Sequence, residues 1–207
     1  MDKTLDLLKK SDALLEGHFL LSSGKHSDRY IQCAKLIENP AYCEEVAKII
    51  ADNLREAGIN TDLCVGPAMG GVIISYEVAR ALGVHAIFTE RVDNEMTLRR
   101  GFEIKEGSKV IIVEDVITTG KSSFETVDVI RDYGAEVVAL TSIVNRSGKD
   151  EINGIPVISA TKIDVNTWDA DDLPDNLKDI PAIKPGSRKI TEWGIISLKK
   201  RKYYEKN

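Results

Sequence analysis

Apolar and polar positions along this chain follow two rhythms, one of period near 3.6 and one of short unbroken runs. Leucines at helical spacing across residues 5–15 predict an opening helix that stops at Gly17. Residues 19–34 are punctuated by Ser-Ser-Gly and Asp-Arg-Tyr and read as strand, turn and strand. Pro40 opens a second helix over residues 41–57, closed by Gly58. A short strand at 62–66 runs into Pro-Ala-Met-Gly-Gly and a helix at 72–82. A further strand follows at 84–89. The polar stretch 90–107 reads as a long loop without regular structure. Beyond it come an apolar strand from Val110, a helix over 122–133 ended by Gly134, and a strand at 136–144. Strands that alternate with helices of about ten or more residues define βαβ units, and so a parallel sheet with right-handed crossovers. After Gly148 the composition turns to Asp, Pro and Asn around one weak strand at 156–160. The expected architecture is α/β: a parallel twisted sheet flanked by helices, with a small N-terminal addition (about 1–40), a core (about 41–150) and a trailing segment (151–188) in one domain, then a basic tail at 189–207.

The chemistry concentrates in residues 110–123, VIIVEDVITTGKSS. A buried strand would deliver Glu114 and Asp115 to its carboxyl edge, where α/β sheets bind ligands. Backbone N–H groups of the loop Thr118-Thr119-Gly120-Lys121-Ser122, backed by the helix that follows, suit a phosphate. Acids that accept hydroxyl hydrogens beside a phosphate cradle point to a phosphorylated sugar. The Gly-Lys-Ser sequence is not the end of a Walker A loop, because Asp115 stands where that loop needs glycine. The turn Ala68-Met69-Gly70 is a second place where backbone can approach a ligand closely. Arg91, Arg99 and Arg100 fall in the long polar stretch, which is expected to act as a lid that closes over pyrophosphate. Arg146 stands at the carboxyl end of a strand, where a guanidinium can take a carboxylate in bidentate fashion.

Composition narrows the partners. A net charge of −5 argues against nucleic acid or an anionic membrane surface, and the late run Lys199-Lys200-Arg201-Lys202 has no wider basic field around it. The 3 cysteines, Cys33, Cys43 and Cys64, have no CxxC spacing and fit reduced thiols in the cytoplasm. The amino terminus lacks the apolar core of a signal peptide, and no apolar run approaches the roughly 20 residues of a membrane helix. His18, His26 and His85 lack metal-ligand spacing and are given only turn or packing roles.

VIIVEDVITTGKS resembles the phosphoribosyl pyrophosphate (PRPP) signature of the type I phosphoribosyltransferases. Further segments are similar to the orotate branch of that family: residues 17–33 (GHFLLSSGKHSDRYIQC), 65–71 (VGPAMGG), 96–102 (MTLRRGF), 142–147 (SIVNRS) and 181–188 (PAIKPGSR). The resemblance implies a type I phosphoribosyltransferase-like fold whose N-terminal addition forms a hood. It implies transfer of phosphoribose from PRPP to N1 of orotate, with Mg²⁺ held mainly through PRPP, by a homodimer that shares its lid across the interface. It places PRPP on Glu114, Asp115, Val116, Ile117, Thr118, Thr119, Gly120, Lys121 and Ser122, on Ala68, Met69 and Gly70, and on Arg91. It places orotate on Thr118, Arg146 and Tyr30. Familiar members carry lysine where this chain has Ser22 and Gly70, and positive lid residues where it has Val92 and Glu95. Arg99 and Arg100 are expected to supply that charge, acting beside Glu114 and Asp115 as the catalytic set. Transfer to a purine base, and PRPP sensing without turnover, are the rival readings.

Overall fold

The computed structural model describes residues 2–21 and 23–185, so the expectations for Ser22 and for the tail at 189–207 lie outside the described residues. The chain divides into two compact units. One comprises residues up to Ala13 together with Gln32–Asp164, and the other Leu14–Ile31 with the described residues from Val165 onward. In chain order, α1 (Lys3–Lys10) opens the first unit, and β1 (Leu14–Leu20) and β2 (His26–Ile31) belong to the second. The first unit continues through α2 (Ala34–Ile37), α3 (Pro40–Glu56), β3 (Leu63–Pro67), α4 (Gly70–Leu82), β4 (His85–Val92) and β5 (Glu95–Leu98). It is completed by β6 (Lys109–Ile117), α5 (Lys121–Asp132), β7 (Glu136–Asn145), β8 (Glu151–Ile152) and β9 (Ile155–Lys162). The second unit resumes with β10 (Thr167–Trp168) and α6 (Asp175–Lys178).

The first unit is built on a seven-stranded sheet of order β5-β4-β3-β6-β7-β9-β8. Its five inner strands are parallel, and β5 and β8 pair antiparallel at the two edges. Parallel strands covered on both faces need continuous apolar runs, and Val110, Ile111, Ile112 and Val113 of β6 are all fully buried. One sheet face, with Val65, Ile112 and Leu140, packs against Val127 and Ile130 of α5. On the other side α4 lies over β3 and β6, and α3 over β7 and β9. In α3 the Asn39 side chain accepts the Ala41 N–H and Pro40 takes the first turn. Cys43, Val46, Ala47, Ile50, Ala51 and Leu54 then form its buried stripe.

The second unit is a small antiparallel sheet of order β1-β2-β10. Ile183 adds a parallel bridge to Phe19, donating to His18 O and accepting from Leu20 N. His18 is buried, and its Nδ1 lies 2.6 Å from the Ile180 carbonyl, which fixes the hydrogen on that nitrogen. Its Nε2 lies 2.6 Å from His26 Nδ1.

Two expectations are corrected and a third is extended. The opening helix stops at Lys10, because Ser11 Oγ turns back onto the Leu7 carbonyl and Asp12 adopts a left-handed φ of 54°. Leu14 and Leu15 therefore start a strand, and Gly17 sits inside that strand at a register shift between Glu16 and Phe19. The expected lid without regular structure is an ordered hairpin, with Val92 paired to Glu95 and Thr89 to Leu98. Its two-residue turn, Asp93-Asn94, has φ of 52° and 68°, the doubly left-handed form that matches strand twist. The weak strand at 156–160 is the middle of an eight-residue strand, β9, whose parallel pairing to β7 outweighs a modest local propensity. Replacing Asn94 by valine should loosen the hairpin by about 1–2 kcal/mol, since a β-branched residue resists that φ. Amide exchange should then quicken in β4 and β5 while β6 and β7 keep their protection.

Candidate active site

Chain order decides where a ligand can sit. From β3 the chain passes through α4 to β4 on one flank, then returns to β6 on the opposite flank. The winding reverses between β3 and β6, and the loops leaving their carboxyl ends part to leave a crevice. Both chemistry-bearing turns of the sequence open there.

Glycines make this crevice tight. A Cβ on Gly66 would stand 2.4 Å from the Gly71 carbonyl oxygen, and one on Gly71 would stand 2.5 Å from the Val113 carbonyl oxygen. The amino terminus of α4 thus rests directly on the backbones of β3 and β6. A Cβ on Gly70 would stand 2.7 Å from the Asp115 carboxylate, so the turn at Ala68, Met69 and Gly70 and the acid pair share one small space. The Ala68–Met69 peptide is cis, and Met69 is exposed.

Glu114 and Asp115 lie within β6, ahead of its last two residues. Glu114 is nearly buried and accepts a hydrogen bond from Ser123 Oγ at 3.2 Å. Burial, with the Asp115 charge second, pushes its carboxyl up to about 8. Burial also raises Asp115, but the Val116 N–H, donating to Oδ1 at 2.8 Å, favours its anion. Glu114 therefore keeps its proton near neutral pH. Cys33 donates its thiol to the Asp115 carbonyl at 3.6 Å, and burial raises its pKa well above the ordinary range, so it is a structural thiol.

Beyond Ile117 the loop presents exposed Thr118 and Thr119, and Gly120 caps α5 in a left-handed conformation with φ of 78°. Lys121, Ser122 and Ser123 follow as the first helical residues, whose N–H groups have no partner within the helix. Arg146 is drawn to the same edge by its N–H, which donates to the Ile117 carbonyl at 2.8 Å. Among the described residues its Nε is buried without a hydrogen-bond partner, and burial depresses its pKa. A cation held in this way invites an anion. Asn145 builds the turn that carries it, accepting from Ser147 N at 2.9 Å and donating to the Lys149 carbonyl at 2.9 Å.

The hairpin arginines are engaged with acids. Arg100 donates to Glu90 at 3.0 Å and lies 5.5 Å from the Phe88 ring centroid, and Arg99 is 4.0 Å from Glu90. Arg91 donates to the Asn94 carbonyl and pairs with Glu125 of α5. Tyr30 belongs to β2 of the second unit, with its ring 5.8 Å from Phe19.

Comparison with known proteins agrees with this geometry. Residues 33–174 match the phosphoribosyl transferase domain family. An orotate phosphoribosyltransferase of Caldanaerobacter subterraneus subsp. tengcongensis is 46% identical over 189 residues, spanning 91% of this chain and 98% of that protein. The chain belongs to the phosphoribosyltransferase family, in its orotate branch. Among solved structures, the orotate phosphoribosyltransferase from Aeropyrum pernix superposes with a TM-score of 0.62 at 25% identity, covering 77% of this chain and 93% of that one. UMP synthase from Leishmania donovani gives a TM-score of 0.66 at 26% identity, covering 78% of this chain but 36% of that longer one.

For this phosphoribosyltransferase the geometry explains one departure from the familiar motif. Any side chain at position 70 would collide with Asp115, so a lysine there is incompatible with the present Asp115 rotamer. Sequence reasoning missed Ser123, Asn145, Glu90 and Glu125 as partners of site residues. Asn145 had a usable signal, an Asn two residues before Ser in a Gly-containing turn. Glu125 had none, because it meets Arg91 across 34 residues of chain.

Two outcomes follow. Gly70→Ala should force the Asp115 carboxylate aside, costing about 1–3 kcal/mol in thermal or urea unfolding and depressing turnover more than the unfolding shift alone explains. For Glu114, the folded carboxyl keeps its proton between its ordinary 4.5 and about 8. The unfolded chain releases that proton, so stability falls as pH rises through this window. Glu114→Gln should therefore match the wild-type Tm near about pH 5 and exceed it by several degrees at about pH 8.5.

Proposed function

We infer that this chain transfers the 5-phosphoribosyl group of PRPP to N1 of orotate, yielding orotidine 5′-phosphate and pyrophosphate in pyrimidine biosynthesis. The observation that carries the reading is the meeting, at one switch point, of an acid pair, a hydroxyl-rich loop and a half-buried arginine whose Nε lacks a partner among the described residues.

Thr118, Thr119, Gly120, Lys121 and Ser122 take the 5′-phosphate on backbone N–H groups and hydroxyls, aided by the amino terminus of α5. Asp115 accepts from a ribose hydroxyl, and the protonated Glu114 can donate to one as well as accept. As the bond from C1 to pyrophosphate oxygen breaks, its electron pair leaves with pyrophosphate and the ribose gains oxocarbenium character. The Asp115 carboxylate opposes that positive charge, and N1 of orotate, its proton already released to solvent, closes on C1 as the anion. Backbone around Ala68, Met69 and Gly70, together with Arg91, receives the pyrophosphate. Arg99 and Arg100 add positive charge from the hairpin once they leave Glu90. Arg146 takes the orotate carboxylate, which fixes the ring for in-line attack.

The donors present fit Mg²⁺. PRPP oxygens and water would hold most of the ion's coordination, with the Asp115 carboxylate the hard oxygen donor beside the Gly70 turn. When bound, it supplies neutralisation of the pyrophosphate charge.

A homodimer is supported by exposed apolar side chains on and beside α4, Met69 at 86%, Ile73 at 56% and Tyr76 at 63%, too much for an unpartnered helix face. Val72, Phe88 and Phe102 line a cleft next to Ile73 and Tyr76, and the hairpin begins at the same strand, β4. Sharing of the hairpin with the neighbouring site is part of this reading. Among the described residues no helix is long and apolar enough to cross a membrane, and three buried free cysteines suit the reducing cytoplasm.

Purified protein with Mg²⁺, PRPP and orotate should consume orotate and release pyrophosphate one for one, while hypoxanthine, guanine and adenine should not substitute. Arg146→Ala should raise the KM for orotate about tenfold or more, with the KM for PRPP little changed. Equal loss toward both substrates would remove the arginine from the base site.

A further inference from the structure

The proposed pyrophosphate contact, Arg91, is already committed to an acid of its own chain. One terminal nitrogen donates to the Asn94 carbonyl at 3.1 Å, and the other is paired with Glu125. The pair is neither free nor locked, since the side chains are 37% and 29% exposed. Water and salt can therefore loosen it, and a stronger anion can replace it.

The position of Glu125 is what makes the pair informative. It lies one helical turn beyond Ser122, on the helix whose first turn forms the phosphate loop. A carboxylate there opposes the binding of a highly charged anion nearby, and serine or glutamine would be the electrostatically simpler choice. Local anchoring of the hairpin is a weak account of it, because the hairpin is already held by β4–β5 pairing and by Leu98 and Phe102 packed on the same core as Phe124.

We propose that Glu125 is the resident counter-ion of Arg91 and sets the affinity of the site for pyrophosphate. Glu125 holds the guanidinium until the pyrophosphate end of PRPP, in whichever subunit's site the hairpin covers, takes it over, and reclaims it when pyrophosphate leaves. The exchange weakens PRPP binding somewhat and speeds product release. Glu125 acts through Arg91 and is a positioning residue. The proposal rests on the reading that Arg91 contacts pyrophosphate.

The test is a double-mutant cycle in the full chain with Glu125→Gln, Arg91→Ala and both, reading KM for PRPP, KM for orotate and the inhibition constant of inorganic pyrophosphate. Glu125→Gln alone should lower the pyrophosphate inhibition constant and the PRPP KM about two- to fivefold, the scale of a partly exposed ion pair, and leave the orotate KM unchanged. Arg91→Ala should weaken PRPP and pyrophosphate, and Glu125→Gln should then add nothing. If Glu125→Gln tightens pyrophosphate equally in the Arg91→Ala background, the acid acts by repulsion and the exchange is wrong. If it lowers Tm without moving either constant, its role is structural and the proposal fails. If Arg91→Ala leaves PRPP and pyrophosphate binding intact, the reading of Arg91 itself falls and takes the exchange with it.

Discussion

The structure depends on the close backbone approach among β3, the start of α4 and β6. Parallel strands of a doubly wound sheet are ordinarily separated from their helices by a layer of side chains. Here Gly66 and Gly71 remove that layer at one point, leaving backbone against backbone at the place where the sheet changes its direction of winding. The turn at Ala68, Met69 and Gly70 and the Asp115 carboxylate then share a space too small for one additional methyl group. The remaining architecture serves this contact: the buried run of β6 aims Glu114 and Asp115, and β7 brings Arg146 to the same edge through the Ile117 carbonyl.

Electrostatically the site is organised by pairing each charge that must act with a local partner that moderates it. Asp115 holds its charge with help from the Val116 N–H, and Glu114 beside it gives up its own. The hairpin cations are matched by Glu90 and Glu125. Arg146 is the exception, with a buried Nε that nothing in the described residues satisfies. On the proposed reading that asymmetry separates the two substrates: the base carboxylate would meet a cation whose Nε is unclaimed among the described residues, whereas the pyrophosphate would compete for its cations.

The phosphate loop and acid pair were legible in the sequence because their chemistry is local: an apolar run, two acids and a glycine-containing hydroxyl loop fall within fourteen consecutive residues. The sheet was legible for a similar reason, since strands buried on both faces are written as unbroken apolar runs. Errors arose where local and long-range signals disagreed. Leu14 and Leu15 continue a helical leucine rhythm, yet pairing with Ile31 and Tyr30 makes them a strand. Residues 90–101 look like a lid without regular structure because Glu90, Arg91, Asp93 and Glu95 crowd charge onto an edge hairpin, and the Asp93-Asn94 turn was the overlooked signal. Contacts such as Arg91 with Glu125 and Gly70 with Asp115 depend on distant segments meeting, and no local pattern announces them.

The hairpin has a thermodynamic consequence of its own. A flexible lid must surrender its backbone freedom each time it engages a substrate, at about 1–2 kcal/mol for every residue fixed. In this chain the eight paired residues of β4 and β5 have lost that freedom once, during folding. On the proposed reading, engagement would require only a change of side-chain partners and whatever flexing the hairpin base permits, so binding energy from the pyrophosphate would be left available for straining the bond that breaks.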